Sequence, residues 1–268
     1  MSDLRPVRTG IAVTIGGDIV LTDKHVGTQP SYLKLARPGT RDNPKAAETL
    51  AFEIGRDIIR QQAPRHSFLG SETELIGRYA VSRGVFREAI RILEYHALVQ
   101  ARRGPNGGIF VGDPDAGAVT AATALFLEYE RVDPRQLYNT RAALELYAVG
   151  LATEMLDDVG EARLRACLED GQSTRDPENF VQRNDFHRTI CDLTENKPLG
   201  LFVDVCQTLT FMHSFALEEG ARQRTPEELA EEIQAEHTGI VEAMVARDVD
   251  QARSLMDAHL RTMLPWLR

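Results

Sequence analysis

Residues 69–111 read LGSETELIGRYAVSRGVFREAIRILEYHALVQARRGPNGGIFV, and the fold of the first module turns on them. Ser71-Glu72-Thr73-Glu74 has the S-x-x-E spacing of a capping box, so a short helix is predicted to open there and run through Tyr79. Ser82 caps a second helix. Its inner stripe is Val85, Phe86, Ala89, Ile90 and Leu93, while Arg83, Arg87 and Arg91 recur at i, i+4 and i+8 along another face. Two capped helices across so tight a turn form a helix-turn-helix. The ARRGPNGGIFV that follows places a Pro-Asn-Gly-Gly turn between two short apolar strands, a small β-wing. Upstream, from Lys45, Leu50, Ile54, Ile58 and Ile59 recur at helical spacing until Ala63-Pro64 ends the run.

Outward from this centre the chain is less uniform. Residues 1–43 are poorly patterned; TGIAVTI and DIVLT around Gly16-Gly17 have the form of a hairpin, with a disordered arm as the alternative. Beyond Gly112 the pattern is that of successive amphipathic helices, near 115–131, 134–156, 158–172, 177–194, 198–219, 226–246 and 249–264. Asp133-Pro134, Asp176-Pro177, Lys197-Pro198 and Thr225-Pro226 mark helix starts, because proline suits a first turn and disfavours helix in its predecessor. The expected fold is mainly α: an arm (1–43), a winged helix-turn-helix (44–112) and an all-α antiparallel helical bundle (113–268).

Composition narrows the function. The 268 residues are 43% hydrophobic and only 6% aromatic, enough chain for two cores and a poor fit to an all-β protein. No apolar run reaches the length of a membrane span and the N-terminus lacks a signal-peptide core, so a cytoplasmic location is expected. Three cysteines without a CxxC pair suit a reducing compartment. The net charge of −9 hides an asymmetry: residues 1–112 hold 16 Lys and Arg against 11 Asp and Glu, net +5, and the remainder nets −14. Modules of opposite charge imply different partners.

The basic module has the furniture of a duplex reader. Arginine suits both guanine edges and phosphates, and a recognition helix presents its N-terminal residues to the major groove. Arg83, Arg87 and Arg91, with Ser82 at the helix start and Arg102-Arg103 entering the wing, are the candidate DNA contacts; a solvated arginine face paired with Glu88 and Glu94 is the plainer alternative. The segment resembles the winged helix-turn-helix of GntR-type bacterial transcription regulators, whose pattern is LPSE-x-x-L, VSR-x-x-VREAL and a Gly-Gly wing. The resemblance implies DNA contact by Ser82, Arg83 and Arg87 and a wing tip at Gly107-Gly108 approaching the minor groove. It departs at Gly70, where proline is usual, at Thr73, where a cation is frequent, and at Phe86, where valine is usual.

Histidines mark the second module. His237 and His259 lie eleven residues before and after a predicted turn at Asp248, so in an antiparallel helix pair they stand at equal height, about 16 Å from the turn. His187 projects inward from a stripe made by Phe180, Val181, Ile190 and Leu193. Converging imidazoles in a bundle suit a divalent transition metal such as Zn or Ni. The half also resembles the FCD ligand-binding domain of the FadR subfamily, with Arg141-Ala-Ala-Leu-Glu145, Arg183-Asn-Asp-Phe-His187, Glu236-His237 through Asp248, and His259-Leu260 in the places of its motifs. The resemblance implies a metal on three histidines and an aspartate, and a small carboxylate effector bound by metal and Arg141. Arg183 stands where that aspartate is usual. A fixed cation opposes a divalent ion, which leaves a weak His187/His237/His259 metal site, or none with Arg141 and Arg183 clamping an anion directly. His213, Arg222 and Arg224 are within conceivable reach, and Glu145 is expected to make a structural pair.

The resulting expectation is a homodimeric, non-enzymatic transcription regulator, a repressor on a palindromic operator that a small carboxylate releases. The rival is a metal-dependent hydrolase using the same histidines, against which the absence of HExxH or comparable base-bearing spacing counts.

Overall fold

The computed structural model describes residues 46–173, 186–215 and 226–262. The hairpin expected in residues 1–43, the Phe180-Val181 portion of the His187 stripe, and Arg183, Arg222 and Arg224 lie outside them.

The first module runs α1 (Ala46–Arg60), β1 (Phe68–Gly70), α2 (Glu72–Tyr79), α3 (Arg83–Tyr95), β2 (Val99–Arg102) and β3 (Gly108–Val111). Both caps form as their sequences dictate. The Ser71 hydroxyl accepts from the Glu74 amide while Glu74 accepts from the Ser71 amide, and Ser82 accepts from the Val85 amide. Between the helices Ala80 turns the chain in the left-handed region, at φ 51°. The amphipathic faces then meet: Leu50, Ala51, Ile54 and Ile58 of α1 bury against Phe86, Ala89, Ile90 and Leu93 of α3, with Leu75, Val99, Ile109 and Val111 closing the core. Phe86 is almost fully enclosed, so the larger ring simply fills this core. Two stripe assignments shift. Ile59 is solvent-exposed, because Leu50, Ile54 and Ile58 already define the buried line and its neighbour is rotated off it by about 100°. Val85, in the first turn of α3, is only partly buried.

The wing is one strand richer than the sequence pattern indicates. β2 and β3 pair antiparallel with Val99 opposite Val111 and Arg102 opposite Gly108, and β1 pairs with the other edge of β3, giving the order β1-β3-β2. β1 is three residues long, too short to show a period of two, and escapes a pattern reading for that reason. Gly108, at φ 149°, lies so close to Phe68 that an added Cβ would stand 2.5 Å from the ring.

The second module comprises α4 (Gly117–Glu130), α5 (Pro134–Met155), α6 (Asp158–Ser173), α7 (Phe186–Leu193), α8 (Lys197–Phe215), α9 (Pro226–Val245) and α10 (Val249–Arg261). Pro134 occupies the first turn of α5 behind an Asp133 cap, as its sequence demands. α5 is the central element, packed against α7, α8 and α10. Its Ala148, Val149 and Ala152 join Phe186, Ile190, Val203, Ile240, Met244, Met256 and Leu260 in a core separate from the first. α9 and α10 form an antiparallel pair whose turn is set by Arg247 at φ 62° and by Asp248, which caps α10 through the Gln251 amide. Arg247 also reaches the Thr153 carbonyl at 3.1 Å, fastening the turn to the end of α5. Among the described residues no helix is long and apolar enough to cross a membrane.

Candidate functional site

The α3 face carries the arginines outward. Arg83 and Arg87 have side chains 68% and 60% exposed, and Arg91 is more open still. Glu72, the first residue of α2, accepts from Arg87 Nε at 3.0 Å and lies 3.6 Å from Arg83 Nε, so one carboxylate gathers both at the helix start. Arg91 pairs with Glu88 at 3.3 Å, whereas Glu94 is taken by the Ala101 amide and braces the wing instead. Glu72 went unmarked in the sequence because it lies in the first turn of another helix. Arg102 lies over the Phe110 ring, 4.2 Å from its centroid, at the end of β2, and Arg103 follows at the start of the wing turn. Ser82, as the cap, has its hydroxyl engaged by the α3 backbone.

Inside the bundle the three histidines meet. His237 on α9 and His259 on α10 approach Nε2 to Nε2 at 3.2 Å, and His259 Nε2 lies 3.3 Å from His187 Nε2 on α7. All three are buried. Equal distance from the Asp248 turn sets the first pair level, and α7 brings the third against them. Phe186 stacks on His237 at 3.8 Å between ring centroids and fixes that ring's plane.

The far side of two rings is equally ordered. His187 Nδ1 donates to Glu145 Oε2, and His259 Nδ1 donates to Glu236 Oε2 at 2.7 Å. Glu145 is itself buried and also accepts from Arg141 Nε at 2.6 Å. The structural pair expected of Glu145 is made with Arg141, and the same carboxylate contacts a histidine as well. Arg141 points inward, giving its Nε edge to Glu145. Glu236 is adjacent to His237 in sequence but serves His259, a pairing that only the helix pair creates.

These contacts fix the orientation of the rings. With Nδ1 held by a carboxylate, each of His187 and His259 presents Nε2 to the cluster, where the two nitrogens stand 3.3 Å apart. Burial pushes the His187 imidazolium down although Glu145 pulls the other way, and burial followed by the neighbouring His259 and His187 pushes His237 well below the ordinary range. Burial raises the Glu145 carboxyl, but His187 and Arg141 together outweigh it and leave it ionised far below the usual range. Cys191 is no competing ligand: burial, then Glu145, pushes its thiol up to about 12. Among the described residues the donor group consists of imidazoles alone. A mostly apolar cleft of about 430 Å³ lies between His96 and α4, lined by Ala118, Val119, Ala122, Thr123 and Phe126.

The described residues thus form a winged helix-turn-helix and an all-α bundle with a buried cluster of three histidines. Residues 136–262 match the FCD domain. The HTH-type transcriptional regulator LutR of Bacillus subtilis is 24% identical over 199 residues, 72% of this chain and 87% of that one. The HTH-type transcriptional repressor NanR of Cronobacter sakazakii is 26% identical over 228 residues, 82% of this chain and 84% of that one. Among solved structures, Streptococcus agalactiae GntR shares the fold, with a TM-score of 0.57 at 18% identity over 81% of this chain and 98% of that one. Residues 136–262 thus resemble an FCD domain, and the relatives named are HTH-type transcriptional regulators, not enzymes.

Proposed function

We propose that the protein is a cytoplasmic homodimeric repressor of the FadR type, which binds a palindromic operator through Arg83, Arg87, Arg91 and the wing, and is released by a small carboxylate bound beside His187, His237 and His259. The single observation that carries the ligand half of this reading is the convergence of three buried imidazoles, two of which have Nδ1 held by a carboxylate. The donor set fits a metal. Tetrahedral zinc with Zn–N bonds of about 2.0–2.1 Å holds its nitrogens roughly 3.3 Å apart, against 3.2 and 3.3 Å here. Carboxylates behind ligating imidazoles are the usual outer shell of such a site. His187, His237 and His259 would hold the ion, which supplies a Lewis-acid anchor for a carboxylate oxygen. Glu145 and Glu236 keep the rings in the ligating tautomer, and Arg141 supplies the positive charge next to them.

For the dimer the supporting feature is α4, which leaves Leu125, Phe126 and Tyr129 facing solvent, an apolar patch of the kind that marks a protein interface. Two-fold symmetry in the protein then matches two-fold symmetry in the operator. The repressor sense is supported by the name of the NanR relative. Effector binding among α5, α7, α9 and α10 would act by shifting the population of DNA-competent orientations.

The test is a gel shift with the DNA upstream of the protein's own gene, repeated with zinc and a set of metabolite carboxylates, alongside elemental analysis of purified protein. A retarded species that a carboxylate dissolves, with metal near one ion per chain, is the expected result. No retardation at low salt refutes the DNA half; metal-free protein that does not take up zinc refutes the metal half.

A further inference from the structure

The phenolic hydroxyl of Tyr138 is buried and has no hydrogen-bond partner, an arrangement that folded proteins avoid unless another molecule supplies the partner. Tyr138 lies on α5 three residues before Arg141 and seven before Glu145, so the three share one face of the helix. Its side chain is in the bundle core, at 6% exposure. Burial and then Asp257 on α10 raise its pKa, with Glu145 adding to the effect and Arg261 and Arg141 opposing it, so the group stays protonated and is a donor. The nearby groups are already engaged: Asp257 holds Arg261 at 2.8 Å, and Glu145 is shared between Arg141 and His187.

We infer that Tyr138 is a specificity-determining ligand contact, donating to a second oxygen of the effector one helical turn from the carboxylate held at Arg141 and the histidines. This rests on the effector reading above and narrows it. Tyr138 and Arg141 lie within one turn on the same helix face, so the ligand class is a carboxylate that carries a further oxygen acceptor: a dicarboxylate, a hydroxy acid or a sugar acid. An unbranched acyl chain would leave the hydroxyl as orphaned as it is without a ligand.

The experiment titrates the full chain, with and without zinc, with L-malate, D-gluconate and octanoate by calorimetry and thermal shift, comparing wild type with Tyr138→Phe. Malate or gluconate is expected to bind wild type in preference to octanoate. Tyr138→Phe is expected to weaken that binding about 5- to 10-fold, the worth of one hydrogen bond, while the ligand-free variant melts at the wild-type temperature or above. Equal affinity in the two proteins overturns the inference. So does a drop of several degrees in the ligand-free variant, since that means the hydroxyl already has a protein partner. Preference for octanoate overturns the ligand class and leaves the effector reading standing; failure of every probe to bind wild type with or without zinc removes that reading and this one with it.

Discussion

Glu145 is the point at which stability and the proposed metal chemistry meet, and Glu145→Gln separates them. The substitution keeps the volume and one hydrogen bond but strips the countercharge from Arg141, a guanidinium buried in the bundle. Removing one partner of a buried ion pair costs about 3–5 kcal/mol, and the retained amide hydrogen bond puts this case near the lower end. At roughly 2–4 °C per kcal/mol for a unit of this size, the melting midpoint of metal-free protein should fall by about 6–12 °C. Zinc affinity, measured by competition with a chromogenic chelator, should fall about 10- to 100-fold because His187 loses the acceptor that holds its tautomer. The double variant Arg141→Met/Glu145→Gln removes the stranded cation. It should regain most of the midpoint and none of the zinc affinity. A single variant within 2 °C and twofold of wild type would refute the reasoning, and so would a double variant that regains both.

Arg83→Ala and Arg87→Ala should each cost about 1–3 kcal/mol of operator binding in a gel shift while leaving circular dichroism and melting unchanged, since both side chains are largely exposed; undiminished binding would mean that α3 does not enter the groove. Gly108→Ala forces a methyl to 2.5 Å from Phe68 and 2.9 Å from the Gly70 carbonyl at a φ of 149°, a strain of about 1–3 kcal/mol. DNA binding should weaken with zinc affinity untouched, which a paired gel shift and chelator titration will show. Chelator dialysis should lower the melting midpoint and zinc should restore it, by about 2.7 kcal/mol at a free concentration one hundred times Kd; a midpoint indifferent to zinc means that the three histidines hold no ion.

Much of this architecture can be read from residue order, for identifiable reasons. Ser71 with Glu74 and Ser82 with Val85 are local contacts, decided within one helical turn, so spacing alone locates α2 and α3. The meeting of His237 and His259 follows from counting residues on either side of a turn, which is again a local calculation. What sequence spacing does not convey is which group serves which. Glu236 adjoins one histidine and binds the other, Glu72 opens one helix and gathers arginines from the next, and Tyr138 reads as an ordinary core aromatic until its hydroxyl is found without a partner. Each of these depends on the relative rotation of two helices, a tertiary quantity with no periodic signature. β1 is missed for a different reason, since three residues are too few to display any period.

The level pairing of His237 and His259 makes the α9–α10 turn a ruler. Inserting or deleting a single residue between them would raise one imidazole by about 1.5 Å and swing it through about 100°, carrying its Nε2 out of the cluster even though no residue of the turn touches the site. Substitutions at Ala246, Arg247 or Asp248 leave that spacing intact, whereas changes of length there do not. The chain between the two histidines should therefore tolerate changes of residue more readily than changes of length, and a natural or engineered variant with an altered count would be expected to keep its fold and its winged helix-turn-helix while losing its histidine cluster.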